Sequence, residues 1–210
     1  MPVSDTQVRH LHDMAVCHMA CFPKSLSSRL GIGYVTKTLE WFLVSPNRFL
    51  YHINVDDNVA GYCGGFVPQK FGDGSSSGML QYAFNQAIAG LVLHPWLLLH
   101  PEVRQQYKFL WLNVKRKFTG KLIPLGGPTA DPGKPSHVGL VVIGVHPQYR
   151  GSGVARLLAD EFDKRALTFD RHELVLSVKS NNHRAINAYK KFGWKILKEQ
   201  QKTFVMHKMI

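Results

Sequence analysis

The chain has 210 residues, 45% of them apolar, enough to bury one sizeable core and too few to demand a second domain. Its formal charge of +12 at pH 7 favours anionic partners, so a phosphate-bearing small molecule, an anionic membrane surface and nucleic acid compete. Three cysteines, Cys17, Cys21 and Cys63, are an odd number without CxxC spacing, which indicates neither a disulfide framework nor a zinc site and fits a reducing compartment.

Asp5, Arg9 and Asp13 stand where a signal peptide would need an apolar stretch, so the expectation is a cytoplasmic protein. Val8, Leu11, Ala15, Val16 and Met19 recur at helical intervals and predict a first helix over 6–20. After Phe22-Pro23, Ser25 or Ser27 can cap a second helical stretch through Leu30, Val35, Leu39, Phe42 and Leu43 to Pro46. Phe49 to Val55 and Val59 to Val67 read as two strands joined by a turn at Asp56-Asp57-Asn58. Gly61, Gly64 and Gly65 in the second strand point to a bulge or a close approach. Phe71 to Ser77 reads as a glycine and serine loop.

An insert follows at about 74–121. No Asp, Glu, Lys or Arg lies between Gly74 and Pro101, but the run is too short and too polar to span a bilayer, which takes roughly 20 apolar residues. Leu80, Ala83, Phe84, Ala87, Ile88 and Leu91 have helical spacing until His94-Pro95 breaks it. Val103, Tyr107, Leu110, Val114 and Phe118 mark a second amphipathic helix. Six basic residues against one acid, Glu102, make Met79 to Lys121 basic as well as apolar. A helical pair packed on a sheet, a lid over a ligand and a membrane-surface contact all fit, the last disfavoured by the break at 94 and 95. The Gly- and Pro-rich 122–137 then reads as a linker.

Val138 to Val145 is an unbroken apolar run, as in a buried strand. Pro147 stops the ladder. Gly151-Ser152-Gly153 leads into Val154, Leu157, Leu158, Phe162 and Ala166 on one helical face. The first N–H groups of such a helix have no internal partner and carry partial positive charge, so the turn is an anion cradle with Arg150 at its rim. The lesser alternative is that the two glycines merely make a tight turn. There is no GxxxxGK[ST], and a Rossmann fingerprint fails because Arg156 replaces the third small residue and the next strand ends in Lys179. Leu174 to Val178 is that strand; Asn182 caps another helix, Gly193 ends it, and Lys195 to Glu199 with Phe204 to Lys208 suggest a closing hairpin.

QYRGSGVA after an apolar strand resembles the acyl-CoA-binding motif of the GNAT acetyltransferase superfamily, R/Q-x-x-G-x-G/A. LSVKSNNHRAINAYKKFGWK, from Leu176 to Lys195, is similar to the family's next block in order and spacing. The two cover roughly the last 70 residues. The resemblance implies an α/β (mixed α+β) fold, a twisted mixed sheet with splayed central parallel strands and helices on both faces, here as a single 1–210 domain. It implies that the cofactor-binding residues are Ile143, Val145, Arg150, Gly151, Ser152, Gly153, Val154, Ala155, Asn182 and Tyr189. The family's usual first strand has only Met1 to Ser4 available to it, and its first two helices would wall the acceptor site.

The implied activity is acetyl-CoA-dependent N- or O-acetyl transfer to an unidentified acceptor, by direct attack, with acetyl-CoA as acyl donor and no metal. Tyr189 matches the family tyrosine that hydrogen-bonds or protonates the departing sulfur; as a core tyrosine beside Ala185 and Ile186 it would have the same spacing. Family members often carry a glutamate base near the start of the central strand, where this chain has Gly139. His137 and His146 titrate near neutrality, but eleven histidines are scattered along the chain, and no base is assigned. A longer-chain acyl transferase and a non-catalytic acyl-CoA-binding module stand as alternatives; nucleic-acid binding lacks a recognisable module.

Overall fold

A computed structural model describes residues 1–69, 75–105 and 137–210. Strands β1 (Val3–Asp5), β2 (Arg48–Val55), β3 (Asn58–Phe66), β4 (His137–Val145), β5 (Glu173–Lys179), β6 (Lys195–Gln200) and β7 (Thr203–Met209) form one sheet in the order β1-β2-β3-β4-β5-β7-β6. Every neighbouring pair is antiparallel except β4 and β5. The β2–β3 turn works because Asp56 and Asp57 both take positive φ, 48° and 61°, the backbone that a tight hairpin needs and that Asp tolerates. The family's first strand is present, as three residues of β1 paired with β2.

Side-chain alternation gives the sheet two apolar faces. From β2, Phe49, Tyr51 and Ile53 join a core with Leu158, Phe162, Leu174 and Met206, while Leu50 joins Met14, Val35, Leu39 and Phe42. The first core lies under α7 (Val154–Thr168), and the second under α1 (Leu11–Cys21) and α3 (Ile32–Glu40). Tyr51 fixes α7 to the sheet by donating a 2.7 Å hydrogen bond to the Leu158 carbonyl. Gly65 is required by packing: a Cβ there would lie 2.4 Å from the Phe49 ring and 2.6 Å from that of Phe162.

Several elements differ from the sequence expectation. The buried side of α1 is Leu11, Met14, Ala15, Cys17 and Cys21, whereas Val8 and Val16 are exposed; two cysteines were needed to complete the stripe. The second helical stretch divides into α2 (Leu26–Arg29), capped by Ser25, and α3, because Gly31 between them takes φ +100°. Ser75 to Ser77 begin α4 (Ser75–Tyr82) rather than continuing a loop. Leu157 is partly exposed, and Ala159 takes its place in the buried stripe of α7. The run up to His94 is two helices, α4 and α5 (Phe84–Leu93), followed by a 3-10 turn over Pro95–Leu99 and the short α6 (Pro101–Gln105). The amphipathic pattern beyond 105, and the linker up to 136, lie outside the described residues.

Candidate active site

Strands β4 and β5 pair only from His137↔Glu173 to Leu140↔Leu176. Beyond that, β5 continues against β7, and β4 continues against β3 from Val142 to Val145. The two parallel strands therefore splay. A register shift between Gly64 and Gly65 leaves Val141 as an extra residue on β4 at the point of divergence, as a β-bulge does. The His146 N–H bonds to the Ala60 carbonyl of β3. Antiparallel alternation then turns the main-chain groups of Gly144 and Val142 towards β3 and those of Val145 and Ile143 into the gap.

A cavity of about 420 Å³ occupies this gap. Its β4 wall is Ile143, Gly144 and Val145, and its floor is Arg150, Gly151, Gly153 and Ala155. Gly151 and Gly153 have φ of +86° and +90°, and a Cβ on either would meet no protein atom within 4 Å. Glycine is required there by backbone geometry, and the space before it is open. The first α7 bonds run from the Arg156 and Leu157 N–H groups to the Gly153 carbonyl, so the N–H groups of Val154 and Ala155 precede the ladder and face the loop. The Val154 side chain itself is fully buried in the core. Ser152 does not line the cavity; its hydroxyl donates to the Tyr149 carbonyl at 2.7 Å.

The third wall is α8 (His183–Lys191) and the residue that follows it. The Asn182 side chain caps this helix by accepting from the Ala185 N–H at 3.2 Å. Ala185, Ala188, Tyr189 and Phe192 recur at helical spacing and all line the cavity. Burial pushes the Tyr189 phenol well above its ordinary range, so it stays protonated at neutral pH and can act as a donor. Its ring lies 6.0 Å from that of Trp194. Gly193, with φ +90°, ends the helix.

Eight of the ten candidate residues thus surround one cavity, with Val154 and Ser152 contributing no lining side chain. Sequence reasoning missed Cys21 and Phe22 at the end of α1, and Arg156 and Arg184. Arg184 was detectable, one residue before the lining stripe of α8. Cys21 was not, because nothing local says that α1 ends against β4. Neither histidine considered as a base lines this cavity. His137 is pulled below its usual range by burial, and His146 lines a separate cavity with Asp13 and Asp57. At Gly139 a Cβ would lie 3.3 Å from the Phe66 ring, a tight contact that a small shift of the ring would relieve.

A second polar group is built on His18, three residues before Cys21 on α1. His18 Nδ1 is 2.5 Å from the Tyr62 hydroxyl, and its Nε2 is 3.0 Å from the Ser27 hydroxyl. Burial lowers the His18 pKa to about 4, leaving it neutral at physiological pH. In the insert, Val92, Leu93, Trp96 and Leu99 are exposed while Leu97 is buried against Leu30 and Leu91. Among the described residues, no helix is long and apolar enough to cross a membrane.

A splayed parallel pair with a glycine-lined helix start in the gap defines the class of acyl-CoA-dependent acyltransferases to which the sequence motifs pointed. The chain belongs to the acetyltransferase (GNAT) family, whose family model matches residues 11–194. That match extends far beyond the last third of the chain, where the motifs lie. No curated protein sequence is significantly similar to it. Solved structures share the fold. A ribosomal-protein-alanine N-acetyltransferase from Brucella melitensis superposes with a TM-score of 0.59 at 11% identity, covering 100% of both chains. The PaiA N-acetyltransferase of Thermoplasma acidophilum, in complex with coenzyme A, has a TM-score of 0.57 at 10% identity, covering 100% of this chain and 98% of its own. Naa20 of Chaetomium thermophilum, in complex with a bisubstrate analogue, has a TM-score of 0.55 at 17% identity, with 100% and 87% covered.

Proposed function

We propose that the chain is a single-domain, acetyl-CoA-dependent N- or O-acetyltransferase that passes the acetyl group directly from the thioester to a bound acceptor. The observation that carries this reading is the cavity between β4 and β5, where main-chain donors, a glycine loop and a protonated tyrosine converge. Unpaired N–H groups at Gly151, Gly153, Val154 and Ala155 would hold the pyrophosphate, helped by the α7 dipole, with Arg150 at the rim. Main-chain groups of Ile143 and Val145 face the gap and would hold the pantetheine arm and polarise the thioester carbonyl. Asn182 would serve by setting the start of α8.

Attack by an amine or hydroxyl then forms the new bond as the C–S bond breaks, and the departing thiolate accepts a hydrogen bond from Tyr189. Because its pKa is raised, Tyr189 stabilises that thiolate by donation, and solvent supplies the net proton. Glycine at 139 offers no side chain as a base, so the acceptor's own proton leaves through water rather than through a group at that position. The test is release of free CoA thiol from acetyl-CoA with a panel of amines, hydroxyl compounds and peptides, alongside calorimetric titration with CoA. Tight CoA binding with no turnover on any acceptor would favour a non-catalytic binding module.

A further inference from the structure

Cys21 is the last residue of α1, and it lines the same cavity as the glycine loop and Tyr189. Its Sγ packs on the splayed part of β4, since a Cβ built on Gly144 would lie 3.2 Å from it. One turn earlier, Cys17 places its own Sγ 3.9 Å from that of Cys21, the i,i+4 relation that stacks side chains on one helix face. The remaining cysteine, Cys63, is fully buried and lines no part of the cavity.

Resting on the reading of this cavity as an acyl-CoA site, we propose that Cys21 is an acyl-accepting thiol, so that the protein acylates itself on Cys21 from a thioester bound there. The Cys21 thiolate adds to the thioester carbonyl, forming an Sγ–C bond; the C–S bond to CoA breaks, and CoA departs as a thiolate. The proton given up by Cys21 is returned to that thiolate through solvent. One thioester replaces another with no change of oxidation state, so the exchange lies near equilibrium and free CoA reverses it.

The surroundings favour a nucleophile at 21 rather than at 17 or 63. The two sulfurs are within hydrogen-bond reach and either can donate; donation from Cys17 lowers the Cys21 pKa against the opposing effect of burial, with Arg150 and Arg184 also lowering it, while the same bond and burial push Cys17 up. Of the two thiols, Cys21 is therefore the one whose thiolate is favoured. Burial drives Cys63 up to about 12, leaving it an unreactive internal control.

The experiment incubates the full chain with acetyl-CoA in the absence of acceptor and reads intact mass, then maps the modified peptide. The expected result is a single acetyl group on Cys21, removed by neutral hydroxylamine and by excess CoA thiol, with Cys63 unmodified. Cys21→Ser should abolish it, and Cys17→Ala should slow it several-fold by removing the donor that favours the thiolate. Normal CoA binding by calorimetry with no acetyl on Cys21, or with only hydroxylamine-stable lysine adducts, would overturn the proposal and leave the cavity assignment standing. Failure to bind CoA at all would overturn both.

Discussion

Gly153→Val separates main-chain anion binding from simple charge attraction. Gly153 sits at φ +90° at the N-cap of α7, a backbone that costs an L residue about 1–2 kcal/mol, more when the side chain is branched. A Cβ there meets no protein atom within 4 Å, so the substitution strains the backbone without disturbing the core. For a chain of this size each kcal/mol lowers the melting temperature by about 2–4 °C, which leaves the variant folded. The valine methyls would stand in the open space before the Val154 and Ala155 N–H groups. A phosphate oxygen needs to approach these to about 2.9 Å, and losing one charge-assisted bond of about 1.5–3 kcal/mol weakens affinity by more than tenfold. Arg150 is exposed, and its removal should cost only a few-fold. Calorimetric titration with CoA at fixed salt, paired with melting curves, measures both. A larger loss for Arg150→Ala than for Gly153→Val would refute the main-chain account.

Tyr189→Phe keeps the packing against Trp194 and removes only the donor; turnover should fall by roughly 10²-fold with CoA affinity little changed, and unaltered turnover with a good acceptor would return Tyr189 to the core. His18 makes stability pH-dependent: its folded pKa of about 4 lies below its unfolded value near 6.5, so the unfolded chain binds more protons between them and stability falls as pH drops through that window, by at most about 3 kcal/mol. Urea unfolding at pH 7 and pH 5 should show this loss, and His18→Gln should flatten it; equal slopes in both proteins would discharge His18. In the insert, exposed Trp96 and Leu99, followed in the sequence by a run of basic residues, are expected to admit an acceptor rather than to anchor the protein. Flotation with anionic liposomes should therefore be weak, whereas strong, salt-sensitive flotation lost on neutralising Lys115, Arg116 and Lys117 would reverse that assignment.

The β4–loop–α7 unit was legible because its instructions are local. Branched apolar residues from 138 to 145, Pro147, two glycines that must take positive φ and an apolar helical stripe lie consecutively, and each acts on its neighbours. The same holds for the Asp56-Asp57 turn, the Ser25 and Asn182 caps and the stop at Gly193. The resemblance to the family motif is what suggested a role for Tyr189 beyond packing, which helical spacing alone left equal to a core tyrosine.

Tertiary structure decided what depends on long-range approach. That β7 rather than β6 lies beside β5 follows from pairing energies summed over the whole sheet, and both strands alternate too similarly for the chain to announce it. The bulge at Val141 arises where β3 supplies Gly64 and Gly65, far away in sequence. The end of α1 meets β4 because Met14, Cys17 and Cys21 are buried against strands laid down much later in the chain. Residue types dictate which faces are apolar, but burial against a particular partner is settled only when the surfaces meet. Composition could not show that a cysteine would wall the acyl cavity.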